Sequence, residues 1–220
     1  MGDSPPAAAF FDLDGTLVLG QTQVLLVRFL RGRRVISWAF VVGTGLWFLA
    51  YKAGLVKVTQ ESRAKGALVL RGLAVAEAQT LMASFADEVM MPRIHHAAVA
   101  ALREHQARGD NVVVLSAALD PVVKALCDKI GVADYVAAPC EIADGRYSGR
   151  LSGLTPYGAR KAEVAAKMMA GWGIDPAASW AYADHTTDLP LLRSVGHPVA
   201  VHPKPGLLEA AKESGWTVLP

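Results

Sequence analysis

The run Ala8-Ala9-Phe10-Phe11 is a short apolar strand that delivers two carboxylates, Asp12 and Asp14, into a Gly15-Thr16 turn. Successive side chains of an extended segment point to opposite faces, so Asp12 and Asp14 project the same way where the strand stops. Two acids side by side repel each other and are costly unless a cation or a proton sits between them. The spacing reads as the end of an active-site strand; the alternative is a solvated Asp-Gly turn.

Three further elements stand at comparable places. The strand Asn111–Leu115 ends in Ser116, and Ala117-Ala118-Leu119-Asp120-Pro121 opens an apolar-periodic helix behind it. Lys161 begins a helical stretch running to about Met169, where its ammonium can neutralise a phosphate as a point charge or serve as an ordinary solvated lysine. The segment Ser179-Trp180-Ala181-Tyr182-Ala183 is a strand ending in Asp184, with Asp188 four residues on. A helix N-cap at Thr186 or Thr187, with Asp188 in the first turn, is sound chemistry there too.

Apolar strands alternate with amphipathic helices along most of the chain. Helices are expected over about Ile94 to Ala107 and Pro121 to Ile130, and strands near Tyr135 to Ala138, Trp180, and Val199 to Val201. Asp144-Gly145 supplies the turn of a hairpin over Glu141 to Leu151. The alternation means an α/β fold, a doubly wound parallel sheet with helices on both faces and ligands beyond the carboxyl ends of the strands. Residues 18–91 break the alternation and read as a helical cap, leaving 1–17 and 92–220 as the catalytic core. A cap of this kind closes over a site, excludes water and selects the leaving group.

With 220 residues, 52% of them hydrophobic, there is material for one buried core and a small accessory domain. A net charge of +2 and the lack of a basic stripe with interleaved aromatics give no footprint for nucleic acid. Cys127 and Cys140 lie apart with no CxxC spacing and read as free buried thiols of a reducing compartment. Met1 to Pro6 has neither a basic nor an apolar signal region. A cytoplasmic protein, at most peripheral to a membrane, is expected.

The four elements in this order resemble the haloacid dehalogenase superfamily, within it the phosphoserine phosphatase-like branch whose cap follows the first motif, on a Rossmann-like core. The resemblance implies that Asp12 is the nucleophile and Asp14 the general acid/base. It implies Ser116, Ala117, Gly15 and Lys161 as the phosphate cradle, and Mg²⁺ as cofactor, held by Asp12, Asp14 and Asp184. Asp188 would orient Lys161 or a metal-bound water. Attack by a carboxylate on a phosphate monoester gathers negative charge, which is why a hard divalent cation suits the set. His185 departs from the small residue usual in relatives and reads as a substrate contact or a tolerated loop histidine. Gln21 stands where phosphoserine phosphatases carry a glutamate for the substrate ammonium, which weakens the case for phosphoserine. The implied activity is a phosphomonoesterase acting through an aspartyl phosphate on a small metabolite, histidinol phosphate or similar. The alternatives are a lipid-phosphate phosphatase of the phosphatidylglycerophosphatase type, and a non-catalytic phospho-ligand-binding protein.

Residues 35–51 are uncharged and strongly apolar, flanked by Arg31, Arg33, Arg34 and Lys52. Seventeen residues is about the lower limit for crossing a bilayer. Gly43-Thr44-Gly45 interrupts the run and favours a helix-turn-helix buried in the cap; a homodimer surface or a peripheral membrane contact is the alternative. The run looks similar to the apolar caps that the resemblance implies for phosphatidylglycerophosphate phosphatases.

Overall fold

The computed structural model describes residues 7–52 and 65–220. Met1 to Pro6, read for a signal, and residues 53–64 of the expected cap lie outside the described residues. Strand β1 (Ala8–Phe11) is buried on both faces, with Ala8 and Phe10 in one apolar layer and Ala9 and Phe11 in the other. Burying each phenylalanine contributes about 1.5 to 3 kcal/mol. A strand apolar on both sides fits the interior of a parallel sheet that helices cover above and below.

The chain then leaves the sheet for α1 (Thr22–Gly32), α2 (Trp38–Lys52), a 3₁₀ stretch (Lys65–Leu70), α3 (Val75–Phe85), a π-helical turn (Ala86–Met90) and a 3₁₀ turn (Met91–Arg93). Exit and return run side by side: the Leu19 amide donates to the Arg93 carbonyl at 2.8 Å, and the His95 amide to the Leu17 carbonyl at 2.9 Å. The remaining order is α4 (His96–Arg108), β2 (Asn111–Leu119), α5 (Asp120–Ile130), β3 (Asp134–Ala138), β4 (Cys140–Ala143), β5 (Arg146–Leu151), α6 (Ala159–Trp172), β6 (Trp180–Ala183), α7 (Leu189–Leu192), β7 (His197–Val201), α8 (Pro205–Ser214) and β8 (Thr217–Leu219).

Six strands form one sheet in the order β3-β2-β1-β6-β7-β8, every pair parallel. From β1 the chain steps outward to β2 and β3, then crosses to β6 and steps outward the other way. The order therefore reverses between β1 and β6, and a crevice opens beyond their carboxyl ends. Ala165 and Met169 of α6 and Leu207 and Ala211 of α8 cover one face. Ala98 and Leu102 of α4 and Val123 and Leu126 of α5 cover the other. Phe11 stacks on Tyr182 at 4.2 Å between ring centres, fixing β1 against β6.

Four features differ from the sequence reading. Strand β2 runs through Ser116 to Leu119, with a register irregularity after Leu115 where the strand bends. A short edge strand, β8, follows Gly215 where none was expected. Cys140 is only half-buried. Helix α2 passes straight through Gly43-Thr44-Gly45, capped by Ser37, whose Oγ accepts from the Phe40 amide at 3.2 Å. Its Trp38, Val42 and Leu46 are 64%, 54% and 63% exposed, so the expected buried helix-turn-helix is replaced by one continuous helix with these three apolar side chains exposed. The β4-β5 hairpin turns at Asp144 and Gly145, with φ of 49° and 74°. Although it lies within 92–220, it pairs with the cap segment: the Gly72 amide donates to the Tyr147 carbonyl at 2.8 Å, and the Tyr147 amide to that of Leu73 at 3.0 Å.

Candidate active site

The register that pairs Phe11 with Tyr182 sets the first two carboxylates at neighbouring strand ends. The Asp12 amide donates to the Tyr182 carbonyl at 2.9 Å, and Asp184 follows two residues later. Both carboxylates are buried. Gly15 turns the chain with a φ of 82°, and a Cβ there would lie 2.2 Å from Asp184 Oδ2. Only glycine lets the turn after Asp14 close against that carboxylate.

Lys161 comes from the first turn of α6, where a cation opposes the helix dipole. What holds it is a pair of carboxylates: Nζ donates to Asp12 Oδ1 at 2.6 Å and to Asp188 Oδ2 at 2.8 Å, all three side chains being buried. Burial works against the ammonium, but Asp12 and then Asp188 more than offset it, and the Lys161 pKa is raised. Burial also raises Asp188, against the pull of Lys161, and its Oδ1 has no hydrogen-bond partner.

Asp14 is held differently. Its Oδ1 accepts from the Thr22 amide at 2.7 Å, satisfying one of the N–H groups left unpaired at the start of α1. Burial pushes its pKa up to about 6 and the Asp12 charge adds to the rise, while the Thr22 amide opposes it. A carboxyl group with that pKa exchanges a proton near neutrality, as acid/base work requires.

Ser116 lies on β2 two residues beyond Val114, the partner of Phe11, and is buried. Its Oγ accepts from the Ala118 amide at 3.1 Å, and Ala117, between them, is half-buried. His185 caps the turn Thr186–Asp188: its Nδ1 accepts from the Thr187 amide at 3.1 Å, so the cap is the histidine and neither threonine. Gln21 is exposed at the start of α1, next to the Thr22 that holds Asp14. Sequence reasoning missed Lys204, whose Nζ lies 2.9 Å from Asp184 Oδ2. Burial raises the Asp184 pKa and Lys204 opposes the rise. The signal was present: a lysine at the N-cap of α8, immediately before Pro205, again opposes the helix dipole.

Among the described residues no three His, Cys, Asp or Glu side chains gather closely enough to enclose a metal ion. Of the three residues expected to ligate one, Asp12 and Asp184 offer carboxylates at adjacent strand ends, whereas Asp14 has its Oδ1 on the Thr22 amide. The remaining donor set still suits a small hard cation, because Mg²⁺ is commonly held by one or two carboxylates, with substrate phosphate and water completing the shell. Charge agrees, since among the described residues Asp12, Asp14, Asp184 and Asp188 face two ammonium groups, Lys161 and Lys204.

A family model described as haloacid dehalogenase-like hydrolase matches residues 9–193. The chain is 29% identical over 219 residues to a protein named phosphoserine phosphatase SerB1 from Mycobacterium tuberculosis, covering 96% of this chain and 70% of that one. It is 32% identical over 139 residues to a histidinol-phosphatase from Neisseria meningitidis serogroup C, covering 61% and 63%. Among solved structures it is similar to a protein of unknown function from Bordetella pertussis Tohama I, with a TM-score of 0.88, 28% identity, and 98% and 99% of the two chains covered.

Proposed function

The chain belongs to the haloacid dehalogenase-like hydrolases and is a phosphatase of that family, and we propose that it hydrolyses a small amino-alcohol phosphate through an aspartyl phosphate on Asp12. The observation that carries this reading is the buried contact of Lys161 with Asp12 at the strand end where Asp184 also stands. Asp12 attacks phosphorus in line with the ester oxygen, forming a bond from its carboxylate oxygen as the ester P–O bond breaks. Asp14, protonated below about pH 6, gives its proton to the leaving alkoxide. It then takes a proton from the water that attacks phosphorus, releasing inorganic phosphate and restoring Asp12. Lys161 and Ser116, with the amide of Ala117, hold the phosphoryl oxygens and offset the charge developing on them; the Gly15 amide, expected in the same cradle, donates instead to the Val18 carbonyl at 2.8 Å. Asp188 keeps Lys161 in place. Asp12 and Asp184 would hold Mg²⁺, which when bound supplies the positive charge that lets an anionic nucleophile approach an anionic ester.

The proposed substrate class is supported by the names of two relatives, a phosphoserine phosphatase and a histidinol-phosphatase. The amino-alcohol choice rests on the similarity to a histidinol-phosphatase; Gln21, exposed and neutral, offers no carboxylate to a substrate ammonium. The exposed face of α2 favours a second reading, a phosphate at a lipid headgroup. The test is phosphate release from sugar, amino-acid, amino-alcohol, nucleotide and lipid-headgroup phosphates, with Mg²⁺ and with EDTA. Metal-dependent release strongest with an amino-alcohol phosphate is expected; release from none of the panel would overturn the reading.

A further inference from the structure

Charge is distributed unevenly along this chain. Residues 15–60 contain no Asp or Glu but carry Arg28, Arg31, Arg33, Arg34, Lys52 and Lys57, while the rest of the protein holds all 20 acidic residues against 16 basic ones. The chain's net charge of +2 therefore conceals a basic segment of +6 on a body of −4. Within that segment α2 has no charged residue before Lys52. A helix apolar on all sides is ordinarily buried. Here Trp38, Val42 and Leu46, spaced by four, form a stripe that is more than half exposed along one side, while Phe40 and Val41 are half-buried against the cap.

Basic residues lie ahead of the stripe in the chain. The Arg31 guanidinium sits 4.7 Å from the centre of the Trp38 ring, and Arg28, one turn before the end of α1, and Arg34, in the link to α2, are exposed. Arg33 is paired with Glu88. No helix among the described residues is long and apolar enough to cross a membrane, and α2, with 15 residues, is about 22 Å long. A short apolar helix edged by arginines suits the plane of a bilayer surface, with its aromatic side at the headgroup boundary.

We propose that the α1-α2 face docks on an anionic lipid bilayer, with Trp38, Val42 and Leu46 entering the interface and Arg28 and Arg34 meeting lipid phosphates. Charge complementarity selects this occupant over a second copy of the chain. A two-fold dimer through this face would place the same arginines against each other, whereas an anionic surface neutralises them. The opposite end of α1 carries the Thr22 amide that holds Asp14, so the docked face is joined by one helix to the catalytic strand end.

Flotation of the whole protein with vesicles tests this. At about 0.1 M salt, where surface charge still acts over about 10 Å, the wild type should float with vesicles of phosphatidylcholine and phosphatidylglycerol, and at least tenfold less with phosphatidylcholine alone. Trp38→Glu with Leu46→Glu should stay at the bottom while keeping its circular-dichroism melting curve and its turnover of p-nitrophenyl phosphate. Arg28→Gln with Arg34→Gln, both on exposed positions, should bind the anionic vesicles several-fold more weakly and lose the preference for them. Wild type left at the bottom with the anionic vesicles would overturn the proposal, as would variants that float like wild type. A dimer that Trp38→Glu dissociates, without flotation, would assign the face to a second copy instead. None of these outcomes depends on the substrate, so they separate from any failure of the phosphatase reading.

Discussion

Lys161 Nζ lies 2.6 Å from Asp12 Oδ1, although 149 residues separate the two in the chain. Their meeting requires β1 and the first turn of α6 to arrive at one edge of the sheet. Asp188, 27 residues beyond Lys161, accepts its second hydrogen bond. Lys161→Met leaves two buried carboxylates without their cation, and breaking a buried pair in this way costs about 3 to 5 kcal/mol. The expected result is a lowered melting temperature and a kcat reduced about 10²- to 10³-fold. A kcat within about tenfold of wild type, measured on folded protein, would remove Lys161 from the phosphate cradle.

Asp14, raised to about pH 6, is the proton donor only below that pH. As pH rises through about 6 the donor is lost, so kcat/KM for an alkyl phosphate, a poor leaving group, should fall. Turnover of p-nitrophenyl phosphate, whose leaving group needs no proton, should lack that fall. Asp14→Asn should cost about 10²- to 10⁴-fold on the alkyl ester and far less in phosphorylation by the aryl ester. Identical pH profiles for the two esters would assign the acid elsewhere.

Lys204 occupies Asp184 Oδ2, an oxygen that a bound divalent ion would use. Removing the ammonium as Lys204→Met should tighten Mg²⁺ binding several-fold by titration calorimetry, since the ion no longer displaces a cation. The metal-free variant should also melt earlier, because a buried carboxylate loses its partner. An unchanged Mg²⁺ affinity would mean that Lys204 stays on Asp184 when metal binds.

His105 is buried against Phe11 of β1 and Tyr182 of β6. Its ring nitrogens meet the Tyr182 hydroxyl at 2.8 Å and Asp110 Oδ2 at 2.7 Å. Burial lowers its pKa below the ordinary 6.5, so the folded state prefers the neutral ring. The resulting stability is fully present above pH 6.5 and is lost as pH falls below it through the depressed folded-state value. His105→Gln should be less stable than wild type at pH 8, with a shallower loss of urea midpoint between pH 6.5 and 5. Equal slopes would assign the acid sensitivity to other groups.

The strand ends were legible because strand-helix alternation fixes a parallel sheet and Asp12 and Asp184 directly follow β1 and β6; Asp14 lies past the end of β1, in the turn that the Leu13 carbonyl closes, so strand alternation does not set its direction. The partners of those residues were not. That Asp14 would be held by the Thr22 amide, and Asp184 by Lys204, depends on how α1 and α8 start against the sheet, which periodicity does not encode. Lysines at two helix N-termini were the local inconsistency that marked the place. Helix α2 was misread because Gly43 and Gly45 resemble turn residues. Glycine costs a helix interior only about 1 kcal/mol, however, and the Ser37 cap and long apolar neighbours carry the helix through. Strand β8 was missed because three residues at a sheet edge carry no readable period.

The covalent route through Asp12 is tested most directly by catching the intermediate. Protein turning over an aryl phosphate, with Asp14→Asn used to slow release, is quenched in acid, reduced with borohydride and digested. Reduction of an aspartyl phosphate converts that residue to homoserine, which peptide mass spectrometry locates. The account predicts homoserine at position 12, its loss in Asp12→Asn, and a yield that rises with substrate. Undiminished turnover with no modified residue at position 12, or with the modification elsewhere, would contradict it.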